Sequence, residues 1–347
     1  MLADARRRGR FALYAWLVLA YNLLVILWGA VVRATGSGAG CGEHWPLCQG
    51  VAIPHAAAIA TLIEFAHRAS SGVSVILVTG LAWFAFRRFP SARRVRRYAL
   101  AALCLTLTEG LIGAALVLFG WTGNNVSTAR FAVLAVHLAN TFMLLASLAL
   151  TARSAGSGVA PEPASAAAGG GWIADKVASS RVLAYGLGLA GTLALAITGT
   201  IAALADTLFP VTSLAQGFAR DFSATSNYLL RLRIIHPILA VIVGVFLLAL
   251  AARTLSEPQS PAARRMALYL FGLVLLQVAL GGLNLALLAP VPLQVLHLLV
   301  ADLVWVALVL LAAEVLAASP SVTAQRLEAH STLTAARSAG PVWNRRA

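Results

Sequence analysis

Eight long apolar runs dominate the sequence, at 11–32, 58–84, 98–119, 131–152, 181–204, 228–252, 266–288 and 293–318. A helix of about 20 residues, rising about 1.5 Å per residue, crosses a hydrocarbon core. Lipid offers backbone N–H and C=O groups no partner, so such a run spans as a helix or as a strand of a closed barrel. Barrel strands alternate over about 10 residues; these runs are continuous in Leu, Ala and Val. The expected fold class is an all-α polytopic membrane protein with eight transmembrane helices. Composition agrees: 11% of the 347 residues are charged and 60% apolar, against about 25% charged in a soluble domain. That excludes a soluble enzyme, a disordered chain and a disulfide-rich secreted module. The first run passes into Val31-Val32-Arg33 without a small-residue cleavage site, so it reads as a span and not as a cleaved signal peptide.

The net charge is +14, from 26 basic and 12 acidic residues. In a soluble protein this would suggest nucleic acid. Here the arginines lie between the runs, so the excess reads as topology, with the lipid bilayer as partner and no nucleic acid. Twenty of the 26 basic residues fall on the side of the N-terminus, five on the other, and Arg68 lies inside the second run. By the positive-inside rule both termini are cytoplasmic; the membrane expected is a bacterial inner membrane. An Ala/Gly/Pro/Ser-rich segment at 153–180 reads as a flexible cytoplasmic linker. It separates a four-helix bundle at 11–152 from another at 181–318, with a cytoplasmic tail at 319–347. The two bundles look like repeats. His67 and His236 are 169 residues apart, Gly29 and Gly199 170, and Glu109-x-x-x-Gly113 matches Gln277-x-x-x-Gly281 at a shift of 168. Four helices per unit give both units the same orientation, related by an axis along the membrane normal.

Four of the seven histidines, His67, His137, His236 and His297, sit on the even-numbered runs near their outer ends. Polar groups inside a membrane are functional by default. Matched pairs on facing helices suit axial ligation of heme iron, two ligands per bundle. Zinc would want three or four ligands at one point. Arg33, Arg68, Arg130, Arg231 and Arg233 lie near the outer ends, as candidate propionate partners or as snorkelling cations. Glu64 stands three residues before His67, on one helix face with it, and Arg233 stands three before His236. A carboxylate beside one histidine and a guanidinium beside the other make the halves chemically unequal. The first half is therefore expected to be catalytic, with Glu64 as its acid–base group, and the second to hold a permanent cofactor. An alternative for Glu64 is a structural ion pair with Arg68. Glu109 and Asp302 are relays or hydrogen-bonding groups, and Glu314 is interfacial. Cys41 and Cys48, in the first outer loop, are spaced for a disulfide that is either a staple or redox-active. Cys104, mid-helix, reads as an apolar filler.

These residues resemble the heme A synthase family over about 11–317. The resemblance rests on the stretch from Gly29 to Gly38, the Cys41-x6-Cys48 loop with Trp45-Pro46, Glu64-x-x-His67-Arg68, and His137, His236 and His297. It implies oxidation of a porphyrin methyl group of heme O to a formyl group, in two hydroxylation steps, to supply heme A for terminal oxidases. It implies His67 and His137 at the iron of the substrate heme, His236 and His297 as axial ligands of a heme b cofactor, and Glu64 assisting the oxidation. A heme O synthase, a terminal oxidase assembly pathway and an electron acceptor would be the partners. Some members carry a second cysteine pair in the outer loop of the second half; here 205–227 has none. The competing reading is a diheme b-type cytochrome between quinone and a periplasmic acceptor. A thiol–disulfide oxidoreductase and a heme transporter are further alternatives.

Overall fold

The computed structural model describes residues 2–55, 58–156 and 172–317. Among these residues there are ten α-helices: α1 (Leu2–Ala34), α2 (Ile59–Arg88), α3 (Arg93–Leu118), α4 (Thr128–Gly156), α5 (Trp172–Leu208), α6 (Leu214–Phe222), α7 (Tyr228–Arg233), α8 (Ile235–Ser256), α9 (Pro261–Ala286) and α10 (Val291–Ala317). Among the described residues no strand forms. Eight spans are long and apolar enough to cross a membrane, α7 and α8 together making the sixth. Side chains are described from residue 6 in α1 and from 179 in α5. The side of the membrane at which α1 begins is called the near side below, and the other the far side.

Local chemistry sets several helix ends. Ser260 caps α9 by accepting from the Ala263 N–H, with Pro261 at the first helical position. Ser213 caps α6 in the same way through Gln216. Gly36, at φ +67°, turns the chain after α1 in a conformation that favours glycine. The segment expected as a linker is shorter than 153–180: 153–156 continue α4 and 172–180 already belong to α5. Residues 157–171 and the tail at 319–347 lie outside the described residues.

Two closed rings of helices result. In one, α1 packs on α2, α2 on α3, α3 on α4 and α4 on α1; in the other the order is α5, α8, α9, α10. The rings meet through α1 and α4 on one side and α5 and α10 on the other. Three ties hold this seam. On the far side Arg33 donates to the Ala203 carbonyl, Thr207 and Gln294. At mid-depth the Trp305 indole donates to the Phe142 carbonyl at 2.6 Å, and the two rings pack 5.0 Å apart. On the near side Arg153 pairs with Glu314 at 2.7 Å. The seam makes α10 the most buried span.

Candidate functional site

Each ring has a pair of histidines at opposite corners: His67 on α2 with His137 on α4, and His236 on α8 with His297 on α10. Small residues on the intervening helices make the room. A Cβ at Gly29 of α1 would lie 3.0 Å from His67 Cε1, and one at Gly199 of α5 would lie 3.0 Å from His236 Cε1. A Cβ at Gly281 of α9 would lie 3.2 Å from His297 Cε1. These contacts are tighter than most side chains accept, so a side chain at any of the three positions would push its imidazole aside by a few tenths of an ångström.

The second pair is the better defined. His236 Nδ1 lies 3.2 Å from the Leu195 carbonyl and 3.3 Å from Thr198 Oγ1. The carbonyl only accepts, so Nδ1 carries the proton and Nε2 keeps its lone pair. The His236 and His297 ring centroids are 6.4 Å apart, with planes at 86°. Two metal–imidazole bonds of about 2 Å each, plus the ring radii, account for a gap of this size. Gln277 Nε2 lies 3.2 Å from His297 Nε2, and His297 Nδ1 is buried without a partner among the described residues.

In the first pair His67 Nδ1 is also buried and unpartnered. His137 Nδ1 lies 2.6 Å from Glu109 Oε2, close but out of line for a full hydrogen bond. The other Glu109 oxygen accepts from Asn140 at 2.9 Å and lies 2.8 Å from the Thr141 hydroxyl. A carboxylate is thus fixed against a histidine in the first ring, where the second ring has the neutral amide of Gln277. Half-buried imidazoles, three of them set against glycine and with Nδ1 of His67 and of His297 unpartnered among the described residues, fit axial ligation of heme iron, and this half-by-half donor set would hold two hemes.

Glu64 is buried and engaged elsewhere. One oxygen pairs with Arg68 at 2.6 Å and the other accepts from the Cys41 backbone N–H at 2.7 Å. Arg68 also donates to the His44 and Leu47 carbonyls, both at 2.6 Å. Cys41 and Cys48 form a disulfide, both buried. Gly40 lies so close to α2 that a Cβ there would be 2.6 Å from the Ala60 carbonyl. Glu64 and Arg68 therefore clamp the disulfide loop onto α2. The ion pair weighed as an alternative for Glu64 is present, with a loop amide added to it.

The matched position in the second ring anchors a loop with the opposite charge. Arg233 pairs with Asp206 and Asp221, each at 2.6 Å, and so ties α7 to the end of α5 and to α6. Of the other arginines considered for propionates, Arg33 holds the seam and Arg130 donates to the Gly123 and Asn125 carbonyls. Arg231 is exposed, and its side chain makes no hydrogen bond among the described residues. Four of the five are thus occupied by the protein itself. Asp206 and Asp221 were not singled out in the sequence, although few acids lie on the far side of the second half. Asp302 is fully buried, with both oxygens unpartnered among the described residues. Cys104 is exposed on α3, and Glu314 is at the seam.

Fold and site define a polytopic helical membrane protein with two histidine pairs, one per ring. The chain belongs to the COX15-CtaA family of cytochrome oxidase assembly proteins, whose family model matches residues 12–309. It is 46% identical over 310 residues to a Thermus thermophilus protein named protoheme IX farnesyltransferase, covering 88% of this chain and 48% of that one. It is 38% identical over 141 residues to a heme A synthase of Alkalihalophilus pseudofirmus, covering 41% of this chain and 45% of that one. A heme A synthase of Halalkalibacterium halodurans is 39% identical over 127 residues, 37% of this chain and 42% of that one. The chain spans about half the length of the curated relatives it matches.

Proposed function

We propose that the chain is a heme A synthase: an oxidoreductase of a bacterial inner membrane that converts the methyl group of heme O to a formyl group. Two hydroxylations give a geminal diol, which loses water. The observation that carries this reading is the pair of inequivalent histidine sites in a chain of this family. The second ring, with His236 and His297, holds a heme b cofactor, which supplies electron transfer when bound. The first ring, with His67 and His137, takes heme O as substrate. Glu109 distinguishes the two. A carboxylate against the outer nitrogen of a ligand histidine orients the ring and makes it a stronger donor; Gln277 offers the second ring no such charge.

Glu64 acts in this proposal through the loop that it clamps, as a positioning residue at the far-side mouth of the first ring. Arg68 shares that role, and the Cys41–Cys48 disulfide stiffens the loop. Arg231 is the arginine left to meet a propionate; Arg33, Arg130 and Arg233 hold the surrounding frame. The two rings are repeats related by an axis along the membrane normal, supported by their matching helix order and glycine–histidine contacts. The near side is cytoplasmic and the histidines and disulfide loop lie toward the periplasm. A heme O synthase is the upstream partner, in keeping with the heme-modifying name of the Thermus relative, and the product passes to oxidase assembly. Farnesyl transfer itself has no use for four paired histidines.

The test is heme extraction from membranes that contain this chain and a heme O synthase, with identification by mass and pyridine hemochrome spectrum. Heme A together with heme b is the expected result. Heme b alone, with heme O available, would overturn the synthase reading in favour of a cytochrome or a heme carrier.

A further inference from the structure

The near-side arginines differ in their partners. Those at the ends of α4, α5 and α8 have carboxylates: Arg153 with Glu314, Arg181 with Glu257, and Arg253 with Glu257. The six between residues 87 and 97 have none among the described residues, and no acid occurs anywhere from 65 to 108. Topological bias explains their number. It does not explain their arrangement. Arg93, Arg96 and Arg97 line a cleft of about 380 Å³ between the end of α2 and the start of α3, with Phe86 and Leu100 as its apolar walls. The Arg96 guanidinium lies over the Phe86 ring at 5.7 Å, and its Nε is buried without a partner. The first turn of α3 follows Ala92, which offers no side-chain cap, so its N–H groups add to the positive field at the cleft.

We propose that this cleft binds the phosphate headgroup of an anionic phospholipid. The three guanidiniums would take the phosphate oxygens, which suit their planar forks. The apolar walls face the level at which acyl chains begin: Phe86 and Leu100 are both about half exposed, at the near-side ends of two spanning helices. A freely soluble anion would use the charges and leave those walls bare. Basic clefts between spanning helices are recurrent lipid headgroup sites.

The test uses the full chain with its hemes, purified in neutral detergent and incubated with phosphatidylglycerol or with phosphatidylcholine of the same acyl chains. Bound lipid is read by native mass spectrometry. Phosphatidylglycerol should stay bound under activation that strips phosphatidylcholine. An arginine that meets the headgroup is worth about fivefold toward an anionic lipid, so Arg93→Gln/Arg96→Gln/Arg97→Gln should weaken that binding by at least about tenfold. Removing the same charge elsewhere, as Arg6→Gln/Arg7→Gln/Arg8→Gln, should leave it within about twofold. If the triple variant at the cleft does not fold, the exposed pair Arg93→Gln/Arg97→Gln carries the test with a smaller loss. Equal loss in both triple variants would reduce the effect to general surface charge and overturn the proposal. Displacement of phosphatidylglycerol by millimolar inorganic phosphate would also overturn it, in favour of a soluble anion site.

Discussion

The two helix rings share a scaffold and differ in what surrounds it. Gly29 faces His67 as Gly199 faces His236, at the same 3.0 Å. The differences sit in two places. Beside the histidine of the last helix, the first ring has Glu109 at Nδ1 of His137 and the second has Gln277 at the other ring nitrogen, Nε2 of His297. Three residues before the histidine of the second helix, the first ring has Glu64 holding a disulfide loop and the second has Arg233 holding two aspartates. The two rings thus share their glycine–histidine contacts and differ in the charge around them. Seating depends on shape, and shape is kept by glycine. Reactivity depends on local charge, and one carboxylate–amide exchange alters that.

The largest expected effects come from emptying one ring at a time. His236→Ala or His297→Ala should remove heme b, and His67→Ala should abolish heme A while heme b stays, read by extraction and spectrum. Loss of both hemes from every single variant would break the division into two sites. Gly29→Val and Gly199→Val should reproduce this pattern without touching a ligand, because each added Cβ meets an imidazole. Next is Glu109→Gln, which gives the first ring the amide of the second. Heme A formation should fall about 10- to 100-fold, the usual cost of losing a ligand's outer partner, and the midpoint potential of the first-ring iron should rise. Gln277→Glu should lower that of the second. Potentials unmoved by either exchange would show that the asymmetry lies elsewhere.

A sharper question concerns Glu64. If it acts through the loop, Glu64→Gln and Cys41→Ser should lower heme A formation to similar extents, and the double variant should be little worse than either. Additive losses would restore a direct acid–base role. The smallest effect is at the seam between the rings. Trp305→Phe removes one buried hydrogen bond to the Phe142 carbonyl and should cost about 1 kcal/mol, read as a lowered unfolding midpoint with both hemes still bound.

The spans were legible because lipid imposes a simple rule: about 20 apolar residues with every backbone group bonded inside the helix. Their ends were less so. α5 begins at Trp172, within a stretch that reads as linker by composition. The short helix α6 hides in the 205–227 region, where neither length nor hydropathy marks it, and the break between α7 and α8 lies inside a run that reads as one span. The arginines show the limit most clearly. Arg33 and Arg130 stand at the depth where a propionate would be met, yet each is taken by backbone carbonyls of loops and of a neighbouring helix. A guanidinium has five donors and reaches far, so its partner is whatever acceptor the packing brings near.

By itself the sequence determined the class of protein, its eight spans, its family motifs and the pairing of histidines at matched positions. These follow from hydropathy and spacing, which act along the chain. Only the tertiary structure decided that Glu64 clamps a loop, that Glu109 and Gln277 are the groups against His137 and His297, and that three near-side arginines line one cleft. Those contacts join residues on different helices, and their distances depend on how the rings close. One-dimensional spacing carries no measure of that closure.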